Sequence, residues 1–382
     1  MTEIFAPKTE AEMAELIAAG GPFVVEGLAS KRAYGRIVEV LPVLSLAAFQ
    51  GIAAYEPEEL ILEAGTATPL RVIQKLLQAQ NQMLAFEPPD HSHLWGTSHS
   101  GSLGGLLATG LSGPRRIKAG SARDHVLGVR GVTGRGEIFK AGARVVKNVT
   151  GYDMPKLMAG SFGTLAALTS VTFKVLPAPE TEETVLVTVQ DDATAMRVMS
   201  DALQSAAEIS AAAHVPGEGT YLRFEGIAVS VAARRDRYVS ALKLDCEVIN
   251  AEASRALWAK IRDCKAIDHD ATRALWRLSV APMDGATVAA HIARQSDARY
   301  FFDWGGGLLW MSVLGSGDGG ATLVRSAFTE GHATLFAGPD ELRQRVDVFQ
   351  PQAPTLATLT TRVKLALDPE AKLNPGRMYK GV

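Results

Sequence analysis

The chain opens on a helical pattern. Thr9-Glu10-Ala11-Glu12 sets Thr at the N-cap and Glu three residues on, a capping box. Met13, Leu16 and Ile17 then recur at helical spacing, and Gly20 closes the element. Phe23-Val24-Val25 predicts a short strand that runs into the small-residue loop Glu26–Arg32. Leu60–Gly65 predicts a second strand. Thr68-Pro69 then opens a helix with Thr as cap and Pro at the first position, burying Leu70, Ile73 and Leu77. Met83–Phe86 reads as a strand, and Leu103–Ala108 as a buried helical turn. Val126–Val132 is a strand turned back at Thr133–Gly136 into Glu137–Phe139. Asp153 caps a short helix that tolerates Pro155 in its first turn. From Leu168 the chain alternates, with Val171, Phe173 and Val175 on one face and Thr172 and Lys174 on the other. That pattern predicts a half-buried strand.

Pro177-Ala178-Pro179-Glu180 marks a domain boundary. Beyond it, strands are expected at Thr184–Val189, Tyr221–Ala232, Leu275–Val280, Arg299–Phe302, Leu308–Leu314 and Ala333–Phe336. Helices are expected at Ala193–Gln204, Ala251–Arg262, Asp284–Ala293 and Ala321–Phe328. The alternation suits ferredoxin-like α+β units sharing one large sheet. Leu356, Leu359, Val363 and Leu367 mark a last helix, stopped at Asp368-Pro369 and followed by the compact turn Lys372–Tyr379.

A length of 382 residues, 47% of them hydrophobic, allows two or three domains with ordinary cores. The formal net charge of −2 argues against a nucleic-acid partner. No apolar run is long enough for a membrane helix, and the N-terminus lacks a signal-peptide pattern. Cys246 and Cys264 form no Cys-x-x-Cys pair, which argues against an iron–sulfur cluster or cysteine zinc site in this chain. A reduced, cytoplasmic compartment fits best.

The chemistry concentrates in residues 101–168. Gly101-Ser102-Leu103-Gly104-Gly105, Ser112-Gly113, Gly120-Ser121-Ala122-Arg123-Asp124, Thr150-Gly151 and Gly160–Thr164 are glycine clusters beside small hydroxyl residues. Glycine permits close backbone approach, and successive N–H groups in such turns hold anions. Several clusters in one segment point to one extended, phosphate-bearing ligand. The loop Glu26–Arg32 reads either as a solvated turn or as a pyrophosphate-binding loop, with charge from Lys31 or Arg32. Arg115, Arg116, Lys118 and Arg123 read equally as a solvated basic face or as a cofactor- or partner-facing one.

Other motifs read as structural. Gly315-Ser316-Gly317-Asp318-Gly319-Gly320 satisfies G-x-G-x-x-G, but too little chain follows for a dinucleotide domain. Asp318 would also oppose a pyrophosphate, so a strand–helix turn is expected. His91, His93 and His99 lack the carboxylate motif of a metal site. No Gly-x-Ser-x-Gly elbow occurs.

The segments Glu26–Arg32, Pro89-Asp90, Ser102–Gly105, Ala108–Gly113, Gly120–Asp124, Lys147–Asp153, Gly160–Thr169 and Asn374-Pro375-Gly376 occur in an order that resembles the p-cresol methylhydroxylase/vanillyl-alcohol oxidase (PCMH-type) flavoproteins. Gly110–Arg116 together with Lys147–Asp153 resembles, more narrowly, the FAD-binding subunits of bacterial glycolate oxidases. The resemblance implies an α+β fold: a two-subdomain PCMH-type FAD-binding domain over 1–177, a ferredoxin-like cap over 178–330, and a C-terminal segment, 331–382, returning to the flavin. It implies FAD between the two subdomains, with pyrophosphate on the 26–32 loop and on Ser102–Gly105. Phe162 to Leu168 would line the adenine–ribose end, and Asn374 would approach the ring. The implied cofactor-binding set is Gly27, Leu28, Ala29, Ser30, Lys31, Pro89, Ser102, Leu103, Gly104, Gly105, Thr109, Ser112, Gly113, Gly120, Ser121, Asp124, Phe162, Gly163, Thr164, Leu168 and Asn374.

The implied partners are a homologous FAD-containing catalytic subunit and an iron–sulfur subunit, with glycolate as the small 2-hydroxyacid substrate of the complex. Any membrane association would come through those partners. The sequence departs from the family in three places. The loop 26–32 has neither histidine nor cysteine, so non-covalent FAD is expected. Ala166 stands where glycine is usual. The two histidine-rich motifs of catalytic 2-hydroxyacid dehydrogenases do not occur, and no catalytic residue is assigned. The remaining readings are a self-sufficient 2-hydroxyacid dehydrogenase, with Arg277 or Arg299 clamping a carboxylate, and an assembly subunit with an empty flavin pocket.

Overall fold

The computed structural model describes residues 2–143, 151–315 and 317–382. The chain divides into two compact units. The first comprises Met1–Ser112, Gly120–Pro177 and Pro351–Val382; the second comprises Gly113–Ala119 and Ala178–Gln350.

The first unit holds a three-stranded parallel sheet in which Val43–Ser45 lies between Ile4–Phe5 and Val24–Glu26. The helix Glu10–Ala19 is capped by Thr9, which accepts from Glu12 N–H at 3.2 Å, but the expected capping box is half formed: the Glu12 carboxylate accepts from Lys8 N–H at 2.7 Å instead of from Thr9 N–H. It buries Met13 and Ile17 against Phe23, Leu44, Val132, Ala167 and Leu373. Val132 and Ala167 belong to a five-stranded antiparallel sheet ordered Ile52–Glu56, Ile61–Gly65, Ala166–Lys174, Val126–Thr133, Ile138–Gly142. The strand Ala166–Lys174 is the centre of that sheet and is buried on both faces, Thr169 and Thr172 included. The half-buried reading of its alternation is therefore corrected: the helix Leu103–Thr109 also packs against this strand.

Two local expectations also change. Pro69, not Thr68, is the N-cap of Leu70–Gln78, and the Thr68 hydroxyl instead exchanges hydrogen bonds with the Gly51 backbone. The strand expected at Met83–Phe86 shrinks to Gln82–Met83, paired with Leu176–Pro177; Leu84, Ala85 and Phe86 are core residues in a turn. The last helix, Pro354–Leu367, leaves Leu356, Leu359 and Leu365 exposed and buries Lys364. The Lys364 ammonium donates to Asp368 Oδ2 at 2.6 Å, to Thr164 O at 2.6 Å and to Leu373 O at 2.9 Å.

The second unit is one eight-stranded antiparallel sheet built from two βαββαβ units. The first runs from Thr181–Val187 through Asp192–Gln204, Ala211–Val215, Gly219–Gly226 and Ala228–Ala241 to Cys246–Ile249. The second runs from Arg273–Ser279 through Gly285–Ala293, Ala298–Asp303, Leu308–Leu314 and Ala321–Ser326 to His332–Ala337. They join through their second strands, at the single pair His214↔Phe302. These are the expected ferredoxin-like units. The long strand expected over Tyr221–Ala232 ends instead at Gly226, which has φ +135°, and Ala228 starts a helix. His332–Ala337 pairs with Arg273–Ser279, so residues 331–350 lie with the second unit and the C-terminal return begins at Pro351.

Candidate functional site

Two adjoining compartments of the first unit share the walls Val25, Gly27, Ser102, Gly105, Ala108, Phe162 and Asn374, making one elongated cleft. The strand Val24–Glu26 and the loop after it form one side; the turn Ser102–Gly105 and the helix it starts form another. Close backbone approach is enforced here. A Cβ on Gly101 would fall 2.2 Å from Ser30 Oγ and 2.6 Å from Lys31 Nζ; one on Gly27 would fall 3.0 Å from Ser102 Oγ. Three residues with side chains lining the cleft hold left-handed backbone: Ala29 at φ +56°, Phe162 at +54° and Asn374 at +44°. Such conformations cost free energy and persist where surrounding structure over-determines them.

Lys31 supplies the cleft's cation. Its ammonium is half-buried and donates to Ser100 O at 3.1 Å and to Ser30 Oγ at 3.4 Å. Burial pulls its pKa down to about 8, against the opposing pull of Asp90. Arg32, the alternative cation of this loop, points to Glu26 in a bidentate ion pair, so its charge is compensated locally. Arg377, also in the wall, holds the loop from behind: it donates to the carbonyls of Lys31 and Arg32 at 2.8 Å and of Arg36 at 2.9 Å, and also to that of Tyr34. Asn374 Oδ1 accepts from Val25 N–H at 2.8 Å, and its Nδ2 donates to Phe162 O at 2.8 Å.

Of the residues singled out from sequence, the cleft brings together Gly27, Leu28, Ala29, Ser30, Lys31, Ser102, Gly104, Gly105, Thr109, Phe162, Gly163, Leu168 and Asn374. Among the described residues, the others stand outside its walls and do structural work. Leu103 is fully buried core, and the Thr164 hydroxyl donates to Ser161 O at 2.7 Å. Ser112 Oγ accepts from Ala122 N–H at 3.1 Å, and Ser121 with Asp124 forms a capping box beside Gly120. Pro89 is buried, and Gly113 belongs to the second unit. Lys147–Thr150 lies outside the described residues. Sequence reasoning missed Val24, Val25, Leu46, Thr66, Ala108, Ser161 and Arg377 as wall residues. Of these only Arg377 carried a signal, a cation directly after the Pro375-Gly376 of the terminal turn.

The remaining motifs resolve simply. Asp318 fills the start of the helix Ala321–Ser326, accepting from Gly320 N–H at 3.0 Å and Thr322 N–H at 2.9 Å, so the Gly315–Gly320 turn offers those amides to its own side chain. Among the described residues no group of three His, Cys, Asp or Glu is spaced to hold a metal ion, and no helix is long and apolar enough to cross a membrane. Arg299, one of two candidate carboxylate clamps, is engaged by Asp268. The other, Arg277, lies over the Trp304 ring at 5.0 Å, and Arg116 lies over the same ring at 4.2 Å. His332 is held below its usual pKa by burial and by the fields of Arg277 and Arg116.

A half-buried lysine among close-approach glycines, in an elongated cleft with an apolar far end at Leu46, Ala166 and Leu168, fits a dinucleotide: anion at the centre, ring at the end. Residues 2–142 match the FAD binding domain model. The chain is 31% identical over 361 residues to the glycolate oxidase subunit GlcE of Escherichia coli strain K12, covering 94% of this chain and 93% of that one. It is 32% identical over 136 residues to the glycolate oxidase subunit GlcD of Bacillus subtilis strain 168, covering 36% of this chain and 28% of that one. Its fold is similar to a crystal structure of p-cresol methylhydroxylase with substrate bound, with a TM-score of 0.70 at 14% identity, over 98% of this chain and 88% of that one. FAD is therefore the cofactor, the fold is PCMH-type, and the chain belongs to the family of the glycolate oxidase subunit GlcE.

Proposed function

We propose that this chain is the FAD-holding subunit of a multi-subunit glycolate oxidase that converts glycolate to glyoxylate. In this reading a homologous flavoprotein subunit performs the hydroxyacid chemistry and an iron–sulfur subunit takes the electrons onward. The observation that carries the reading is the likeness to GlcE over almost the full length of both chains, joined to a cleft built for a dinucleotide. Bound FAD supplies a two-electron acceptor. The chain's own residues bind and orient it. Lys31 and the Gly27–Ser30 loop hold the pyrophosphate; the Ser102–Gly105 turn, whose Leu103, Gly104 and Gly105 N–H groups are bonded to Thr68, Thr66 and Ser102, supplies the close wall; Phe162, Gly163 and Leu168 line one end; Asn374 and Arg377 lock the walls. The loop 26–32 has neither histidine nor cysteine to link to a flavin, which supports non-covalent attachment.

A 2-hydroxyacid oxidation also needs a base near the hydroxyl proton and a cation for the carboxylate. Several histidines of the second unit are engaged elsewhere. His214 meets Thr220 Oγ1 at 2.9 Å and Asp192 Oδ1 at 3.2 Å, and His291 meets Gln295 at 2.9 Å. One cluster favours a second reading, a self-sufficient dehydrogenase: His332, its pKa lowered by burial and then by the fields of Arg277 and Arg116, is a candidate base in the same unit as those two guanidinium groups. Anaerobic mixing of the purified chain with glycolate separates the two. Under the first reading the flavin stays oxidised until the partner subunits are added. Rapid bleaching in the isolated chain, lost in His332→Gln, would establish the second.

A further inference from the structure

Residues Gly113–Ala119 are built into the second unit, while the chain on either side of them belongs to the first. This strap leaves the first unit just past the cleft-lining Ala108 and Thr109. It returns at Gly120, and Ser112 Oγ closes its base by accepting from Ala122 N–H at 3.1 Å. Inside the second unit it is clamped three times. The Trp304 indole donates to Gly113 O at 3.1 Å. Arg115 makes a bidentate pair with Glu225, Nε to Oε2 at 2.9 Å and Nη2 to Oε1 at 2.5 Å, both side chains about nine-tenths buried. Arg116 stacks over the Trp304 ring at 4.2 Å. Trp304 itself is held at φ +53°, a conformation maintained only by tight surroundings.

We propose that Arg115 is a positioning residue for the cofactor, and that the strap couples FAD binding in the first unit to the packing of the second. A clamped strap removes freedom from the chain that leads out of the cleft wall, so less ordering remains to be done when FAD binds. By reciprocity, FAD must then tighten the strap. A buried bidentate pair is suited to this because removing Arg115 leaves the Glu225 carboxylate to the longer 3.6 Å pairing with Arg223. The inference rests on the cofactor reading above.

The test uses the full chain and FAD itself. FAD is titrated by flavin fluorescence against the wild type, Arg115→Ala, Arg115→Lys and Trp304→Phe, and amide exchange over 113–119 is followed with and without FAD. Arg115→Ala should weaken FAD about tenfold. Arg115→Lys should recover part of the loss, and the strap amides of the wild type should exchange more slowly with FAD bound. Trp304→Phe keeps an aromatic face for Arg116, on a smaller ring, and removes the donor to Gly113. It should weaken FAD about threefold, and it reads the coupling if Arg115→Ala does not fold. Lower melting temperatures with wild-type FAD affinity, or strap exchange indifferent to FAD, would overturn the strap proposal alone. A wild type that takes up no FAD would overturn the cofactor reading and the strap with it.

Discussion

The side-chain amide of Asn374 donates to the carbonyl of Phe162 at 2.8 Å, and both residues hold left-handed backbone in the wall of the same cleft. With Val25 N–H bonded to its Oδ1, Asn374 ties a strand of the parallel sheet to the turn that ends the glycine-rich segment. Its polar atoms serve the walls. Asn374→Ala strands the Val25 amide and the Phe162 carbonyl and should destabilise by about 2 kcal/mol. Asn374→Gly relieves the backbone and isolates the hydrogen-bond loss. Equal denaturant midpoints for wild type and alanine variant would show that the bridge carries no stability.

Gly104 and Gly105 separate packing from cofactor approach. A Cβ on Gly104 would fall 2.6 Å from the Thr66 Cβ, so Gly104→Ala should lower the melting temperature whether or not FAD is present. A Cβ on Gly105 meets only Ser102 Oγ at 3.5 Å and Lys31 at 3.8 Å, ordinary contacts within the cleft. Gly105→Ala should keep the apo melting temperature and weaken FAD several-fold. Unchanged FAD affinity in Gly105→Ala would remove this turn from the binding site.

Lys31 gives FAD binding a pH dependence. In the free protein its ammonium loses its proton near pH 8, because burial disfavours the charge. A bound pyrophosphate favours the charge and raises that pKa. Affinity should therefore be complete below pH 8 and fall above it, by up to about tenfold per unit, until the pKa of the complex is passed. Lys31→Met should bind more weakly and show no such decline between about pH 7 and 9.5. A wild-type affinity flat across that range would place the phosphates elsewhere.

Lys364 and Asp368 form a buried pair that fastens the last helix to Thr164 and Leu373. Lys364→Met leaves the buried Asp368 carboxylate with the Lys372 and Leu373 amides but no counter-charge, and should destabilise by about 3 to 5 kcal/mol. Lys364→Met with Asp368→Asn should recover much of that loss. Urea unfolding of the two variants checks it; equal losses would mean that the charge on Asp368 does not set the cost.

Much of this was legible in the sequence because the signals were local. The Thr9 cap, the Ser102–Gly105 turn and the strand after Leu168 each follow from a few adjacent residues. What escaped depended on tertiary context. Ala211-Ala212-Ala213 has high helix propensity yet forms a buried strand, because its neighbours on both sides of the sheet decide its state. The apolar spacing of Leu356 and Leu359 marked a true helix, but its anchor is Lys364, which reaches across 200 residues of sequence to Thr164 O as well as to the nearby Asp368 and Leu373. Arg377 as the clasp of the Lys31–Arg36 loop was hidden for the same reason.

The most direct measurement is the visible absorption spectrum of the purified chain, supplied with FAD and washed, before and after acid or heat denaturation. The cleft around Lys31 and Gly105 predicts a flavin spectrum at one FAD per chain that passes wholly into the supernatant on denaturation. A colourless protein that takes up no added FAD, or a flavin that stays with the denatured chain, would contradict it.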